Sequence, residues 1–411
     1  MVTILPFRAL CPDPSLVAQI ASPPYDVLST REARAMAADK PNSFLHIIKP
    51  EIDLQDTDPY ADAVYRQGAI NLRRFTNERL LQEHAPSYYL YQQIMGQHVQ
   101  TGIVGVASID EYDAGVIKKH EFTRPEKVND RVRLISALNA QTGPVFLAFR
   151  QTKAMADLIT LLLDKSQKMY DFSSFNNVRH IFYKVEDASR RDSIRKAFAE
   201  LPALYIADGH HRSEGAATLC RQKRQQNANY TGKESFNYFL SVTFPHSDLL
   251  ILAYNRVVRD LNNQSLAIFL KRLEEKFIVA PEPHFKEPDS PQKFGMYVAG
   301  QWYELLIKKE FVPQDPVDSL DASLLQEHLL RPILNIDNPR TNKRIDFIGG
   351  IRGARELQRL VDSGDYAVAF ALHPTSMQQV MAVADAGRVM PPKSTWFEPK
   401  LLSGLATHLL D

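Results

Sequence analysis

The string YIADGHHRSEGAA, residues 205–217, holds an acid, a glycine, two adjacent histidines and an arginine where an apolar run stops and a helical pattern begins. A strand that ends at Asp208, a turn at Gly209 and a helix from His210 place unpaired backbone N–H groups at a helix N-terminus. Such an end attracts anions, because its first amides lack intrahelical partners and its dipole is positive. Arg212 adds a guanidinium fork that matches phosphate oxygens. His210 and His211 can donate hydrogen bonds or move protons. A plainer reading stays open, in which Asp208 caps the helix and the imidazoles pair with backbone.

Three further clusters carry chemistry. GVIKKHEFTRPEKVNDR, residues 115–131, brings His120, Glu121, Thr123, Arg124 and Arg131 together ahead of a helix. Glu121 is a candidate general base for a hydroxyl, and Thr123, Arg124 and Arg131 are candidates for holding phosphate. The competing reading is a solvated, charged loop. MPPKSTWFEPK, residues 390–400, offers Lys393, Ser394 and Thr395. It lacks the glycine-rich loop of a P-loop, so it is either a ligand-holding loop or a rigid surface loop. ASPPYDVLS, residues 21–29, presents Tyr25 and Asp26 after two prolines, as a preorganised substrate-contacting pair or as a simple turn.

Metal ligation is the weaker use of these groups. His120, Glu121, Asp208, His210 and His211 are acceptable ligands, but no HExxH or Cys/His spacing is present. Adjacent histidines at a helix start point about 100° apart and do not readily chelate one ion. No metal-binding residue is assigned. Mg²⁺ held mainly by substrate phosphates would leave no motif.

These residues need strands and helices to hold them. Apolar spacing near 3.6 predicts a long helix over 58–81, and aromatic, β-branched runs at 87–95 and 100–110 predict a hairpin. Helices are expected with Pro125 near a start, over 151–164, after Asp187 as a cap, and over 210–227. Strands are expected at GPVFLAFR, RHIFYKV, ALYIAD, FNYFLSVTF and LLILAYNRVV. The proline-rich and charged stretch 280–292 reads as a loop or boundary, followed by strands and helices to residue 386. Alternating helices and strands with hairpins imply an α/β fold with a mixed-sheet core, flanked by N- and C-terminal regions. The expected division is 1–84, 85–279 and 280–411.

The chain has 411 residues, enough for two or three cores. Lys and Arg total 49 against 48 Asp and Glu, so no basic surplus draws nucleic acid. The two cysteines, Cys11 and Cys220, form neither a disulfide framework nor a CxxC pair. No signal peptide and no run of about 18 apolar residues is present, so a cytoplasmic protein without membrane contact is expected.

PFRALCPDP, PPYDV, KKHEFT…DR, YIADGHHR and MPPKSTWFEPK resemble, in the same order, the bacterial family catalogued as domain of unknown function 1015. The resemblance runs from about residue 4 to residue 405. The Gly-His-His-Arg turn is also similar to the phosphate-binding signature of the ParB/sulfiredoxin-like superfamily, which includes free-serine kinases. That resemblance implies a central ParB/sulfiredoxin-like domain, with Gly209, His210, His211 and Arg212 on nucleotide phosphates and Glu121, Asp208 and His210 in catalysis. It implies ATP or ADP, with Mg²⁺ as an optional companion, a small hydroxyl metabolite such as free serine as acceptor, and a homodimer as an allowed state. Sulfiredoxin chemistry is disfavoured because a histidine stands where its cysteine would. Two other readings stay open, a nucleotide- or metabolite-binding regulator without chemistry and a metal-dependent hydrolase.

Overall fold

The structure is a computed structural model, and it describes residues 1–410. The chain divides into two compact units, Met1–Leu249 with Pro399–Asp411, and Leu250–Glu398. Both are mixed α/β.

The first unit is built on a nine-stranded mixed sheet. The predicted hairpin is present as Tyr88–Met95 and His98–Ser108, antiparallel in register Tyr89↔Val104 to Met95↔His98. The strand Tyr238–Pro245 pairs antiparallel with His98–Ser108 and parallel with Val145–Phe149. Val145–Phe149 then pairs antiparallel with Leu204–Asp208, whose other edge runs parallel to Ile117–Lys118. Burial of both faces explains why Val145–Phe149 and Leu204–Ile206 read as continuous apolar runs. Leu147, Leu204, Ile206, Ala217 and Phe239 share one core.

The helices follow their sequence signals. Asp62–Asn77 is amphipathic and buries Val64, Tyr65, Leu72 and Phe75. Pro125–Leu138 starts with proline at its first turn, where the missing N–H costs nothing. Ala188–Ala199 is capped by Asp187, whose carboxylate accepts from Arg190 N at 2.9 Å. Ser29 and Glu32 form a capping box at Thr30–Ala37.

Several strands gave no sequence signal. Gln167–Ser173 forms the sheet edge beyond Arg179–Val185. A four-stranded sheet joins Leu81–Glu83, Ala9–Pro12, Thr407–Leu409 and Ala140–Gln141. Its short strands come from distant parts of the chain, so no local period announces them. It also ties residues before 84 and after 399 into the unit that holds the expected central region.

The second unit has a six-stranded antiparallel sheet in the order 277–282, 301–307, 293–298, 368–372, 254–258, 345–349. Phe277–Glu282 runs into the stretch read as a boundary, with Pro281 on the edge strand, where a missing donor is tolerated. The units thus divide the chain at points other than the expected three-part division. Among the described residues no helix is long and apolar enough to cross a membrane.

Candidate functional site

The site begins where the strand Leu204–Asp208 leaves its ladder. Pairing with Val145–Phe149 is irregular between Ile206 and Asp208, which turns the chain at the strand end. Gly209 follows with φ +100°. A side chain there would meet Arg212 Nε at 3.1 Å and the Val145 backbone at 3.4 Å, so conformation and space both call for glycine. Gly209 is the N-cap of the helix His210–Gln226, and no side chain caps it. The capping role open to Asp208 is therefore not taken up. The first turn keeps its anion-attracting character.

Asp208 instead faces two cations. Its Oδ2 lies 3.3 Å from Lys400 Nζ and 3.5 Å from Arg212. Burial opposes ionisation of Asp208, but Lys400 and Arg212 outweigh it and hold the carboxyl well below its usual range. Arg212 is buried, donates to the Pro144 carbonyl, and lies 3.6 Å from Asp26. Among the described residues its Nε has no hydrogen-bond partner. Burial works against the Arg212 charge, and Asp26 and Asp208 restore it.

Burial favours the neutral form of both histidines. The ring of His210 is 4 % exposed and meets His120 edge to face at 4.5 Å between centroids. Burial, and then the neighbouring His120, push the His210 imidazole well below its ordinary value. Its Nε2 faces His120 N at 3.5 Å, and its Nδ1 lies 3.7 Å from Glu121 Oε2. His211 Nε2 accepts from Arg124 N at 3.0 Å, and burial lowers its pKa as well. An accepting Nε2 puts the proton on Nδ1 in each ring. The segment His120–Arg124 is thereby laid across the start of the helix His210–Gln226. Glu121 remains 43 % exposed, and Thr123 stands between these anchored residues.

A second layer lies behind. The guanidinium of Arg131 stacks on Tyr25 at 3.7 Å and pairs with Asp130 at 2.6 Å. Tyr65 donates to Asp130 at 2.9 Å. Burial pushes the Tyr25 phenol up to about 12. Tyr25, Arg131, Gln141, Thr142, Arg212 and Ser403 line part of a cavity of about 30 Å³. That is room for a few waters at most.

The first unit thus gathers Tyr25, Asp26, Glu121, Thr123, Arg124, Arg131 and residues 208–212. Lys393, Ser394 and Thr395 lie in the second unit. There Lys393 has φ +59°, its carbonyl accepts from Arg256 at 3.1 Å, and its ammonium sits 5.3 Å above the Tyr254 ring. Ser394 accepts from Thr375 through its carbonyl at 2.9 Å. Sequence reasoning missed Lys400, which closes the same MPPKSTWFEPK string. Its nearness to Asp208 had no sequence signal beyond membership of that motif. Among the described residues no group of three or more His, Cys, Asp or Glu side chains is arranged to hold a metal ion. The donor set suits a phosphate group better: an uncapped helix start with Arg212 and Arg124 beside it.

A family model described as protein of unknown function (DUF1015) matches residues 4–323. No curated protein matches the chain. Among solved structures, a free serine kinase in complex with AMP is 12 % identical, covering 72 % of this chain and 86 % of that one, with a TM-score of 0.35. A conserved hypothetical protein from Pyrococcus furiosus is 13 % identical, covering 74 % and 93 %, with a TM-score of 0.34. SbnI with a C-terminal truncation, from Staphylococcus aureus, is 11 % identical, covering 73 % and 85 %, with a TM-score of 0.39. At these values the likeness carries no weight for the site, which rests on its own geometry.

Proposed function

The chain belongs to the DUF1015 family of proteins of unknown function, and we propose that it is a nucleotide-dependent phosphotransferase acting on a small hydroxyl metabolite. Free serine is the first acceptor to test. One observation carries this reading. The turn 208–212 and the segment 120–124 meet at a helix start that no side chain caps, with a half-exposed carboxylate beside it.

Phosphoryl transfer asks for positioning and charge neutralisation more than for covalent chemistry. The amides after Gly209 and the guanidinium of Arg212 would hold the phosphates of ATP or ADP. Arg124, at the mouth, would add charge. Asp208 and Asp26 fix the Arg212 fork, and Lys400 keeps Asp208 ionised. Asp208 is therefore better suited to holding cations than to taking a proton. Glu121 would accept the hydroxyl proton as the acceptor oxygen attacks the terminal phosphorus and the bridging P–O bond breaks. His210, with Nδ1 3.7 Å from Glu121, would orient that carboxylate.

The test incubates the full chain with ATP or ADP, serine and a panel of hydroxyl compounds, and follows products by mass spectrometry. A phosphate ester is expected, together with stabilisation by ADP through mass action. Glu121→Gln should keep the ADP-induced rise in Tm and lose about 10²-fold or more in turnover. ADP stabilisation without product in the wild type would favour the regulator reading. Absence of both would overturn nucleotide use altogether.

A further inference from the structure

Phe122 is 62 % exposed and stands inside the segment that covers the helix start. Its neighbours are anchored. Glu121 faces His210 at 3.7 Å, and Arg124 N donates to His211 at 3.0 Å. The backbone on both sides is held while the ring projects into solvent. Solitary exposed apolar side chains are common and need no cause. Here the surroundings are not ordinary. Arg124 is exposed at the N-cap of the helix Pro125–Leu138, and Lys127 lies three residues on, one helical turn away on the same face. The Lys127 ammonium donates to the Tyr60 hydroxyl at 2.9 Å, and Tyr60 is itself 42 % exposed. Arg133 donates to the Tyr60 backbone carbonyl at 2.7 Å. Two exposed aromatic rings, Phe122 and Tyr60, and two cations, Arg124 and Lys127, thus lie on or against the segment 122–127. Interleaved aromatic and cationic side chains suit a ligand that is both aromatic and anionic.

Resting on the proposed nucleotide use, we propose that Phe122 is the stacking platform for the base of the nucleotide whose phosphates lie at the start of the helix His210–Gln226. Phe122 is the ring joined directly to the phosphate-side anchors, between Glu121 and Arg124. Stacking reads the π face and not the hydrogen-bonding edge, so adenine and guanine nucleotides should bind with similar strength. Phe122 is a binding residue and takes no part in proton transfer.

The experiment compares ADP, GDP and inorganic pyrophosphate by titration calorimetry on the full chain, in wild type, Phe122→Ala and Phe122→Trp. Phe122→Ala should weaken ADP and GDP about tenfold and leave pyrophosphate within about twofold. Phe122→Trp should restore nucleotide affinity, and its added indole emission should be quenched by ADP but not by pyrophosphate. Unchanged ADP affinity in Phe122→Ala, or an equal loss for pyrophosphate, overturns the stacking role while nucleotide use stands. Wild type that binds neither ADP nor pyrophosphate overturns both.

Discussion

At the scale of single residues, burial works against protonation of the histidines around the turn 208–212. Burial pushes His120 down to about 4, and His210 and His211 are lowered for the same reason. An imidazole in the unfolded chain takes up its proton near 6.5. Between those values the unfolded state binds more protons than the folded one, so acid favours unfolding. The contribution of His120 is fully present above about pH 6.5 and is lost as pH falls towards 4. Tm is therefore expected to drop between pH 7 and pH 4.5, and His120→Gln should flatten that drop. Equal slopes in the two proteins would remove His120 as a source. His180 adds to the background slope, since burial also brings it to about 4 while Tyr91 and Ser174 hold its two nitrogens at 2.7 and 2.8 Å. The identity of the site residues was readable because their types are chemically uncommon side by side. Asp208, His210, His211 and Arg212 are named by the string itself. Their protonation states were not readable, because desolvation depends on what covers them.

At the scale of elements, the site depends on the close approach of two helices. Gly215 lies one turn past His211 on the helix His210–Gln226. A Cβ there would come within 2.9 Å of Arg131 Cβ on Pro125–Leu138. Arg131 Cβ is fixed to its backbone and cannot swing away. Gly215→Ala should therefore push the helices apart and cost about 1–3 kcal/mol, read from urea unfolding. It should weaken ADP binding too, because the His211–Arg124 bond spans the same pair of helices. Unchanged stability would mean that the interface yields more easily than its geometry implies. The helices themselves were legible, since Pro125 at a first turn and Asp187 as a cap act within a few residues. The hairpin 88–108 was legible from its composition and alternation. Gln167–Ser173 was not, because an edge strand with one partner needs no strong apolar run.

At the scale of the molecule, the C-terminal segment is part of the first unit. Thr407–Leu409 pairs with Ala9–Leu10 on one side and with Ala140–Gln141 on the other. Removing residues 399–411 would take out an interior strand of that small sheet and the Lys400 partner of Asp208. Truncation after Glu398 is expected to lower Tm by several degrees and to abolish ADP stabilisation, measured by circular dichroism melting with and without ADP. A truncated chain that melts and binds like the whole would show that neither the strand nor Lys400 matters.

The sequence by itself determined the residue types at the turn 205–217, the glycine at its corner, the long helices, the central hairpin and the mixed character of the fold. Each follows from interactions within a few residues: backbone conformation, capping and periodicity. Only the tertiary structure decided that the segment 120–124 covers the turn 208–212, that Asp26 and Asp208 share Arg212, and that Lys400 stands against Asp208. Apart from the local Asp208–Arg212 pair, those pairings join residues from about 85 to nearly 200 positions apart. They are set by sheet order and by which strands the chain ends return to, and no local pattern encodes them.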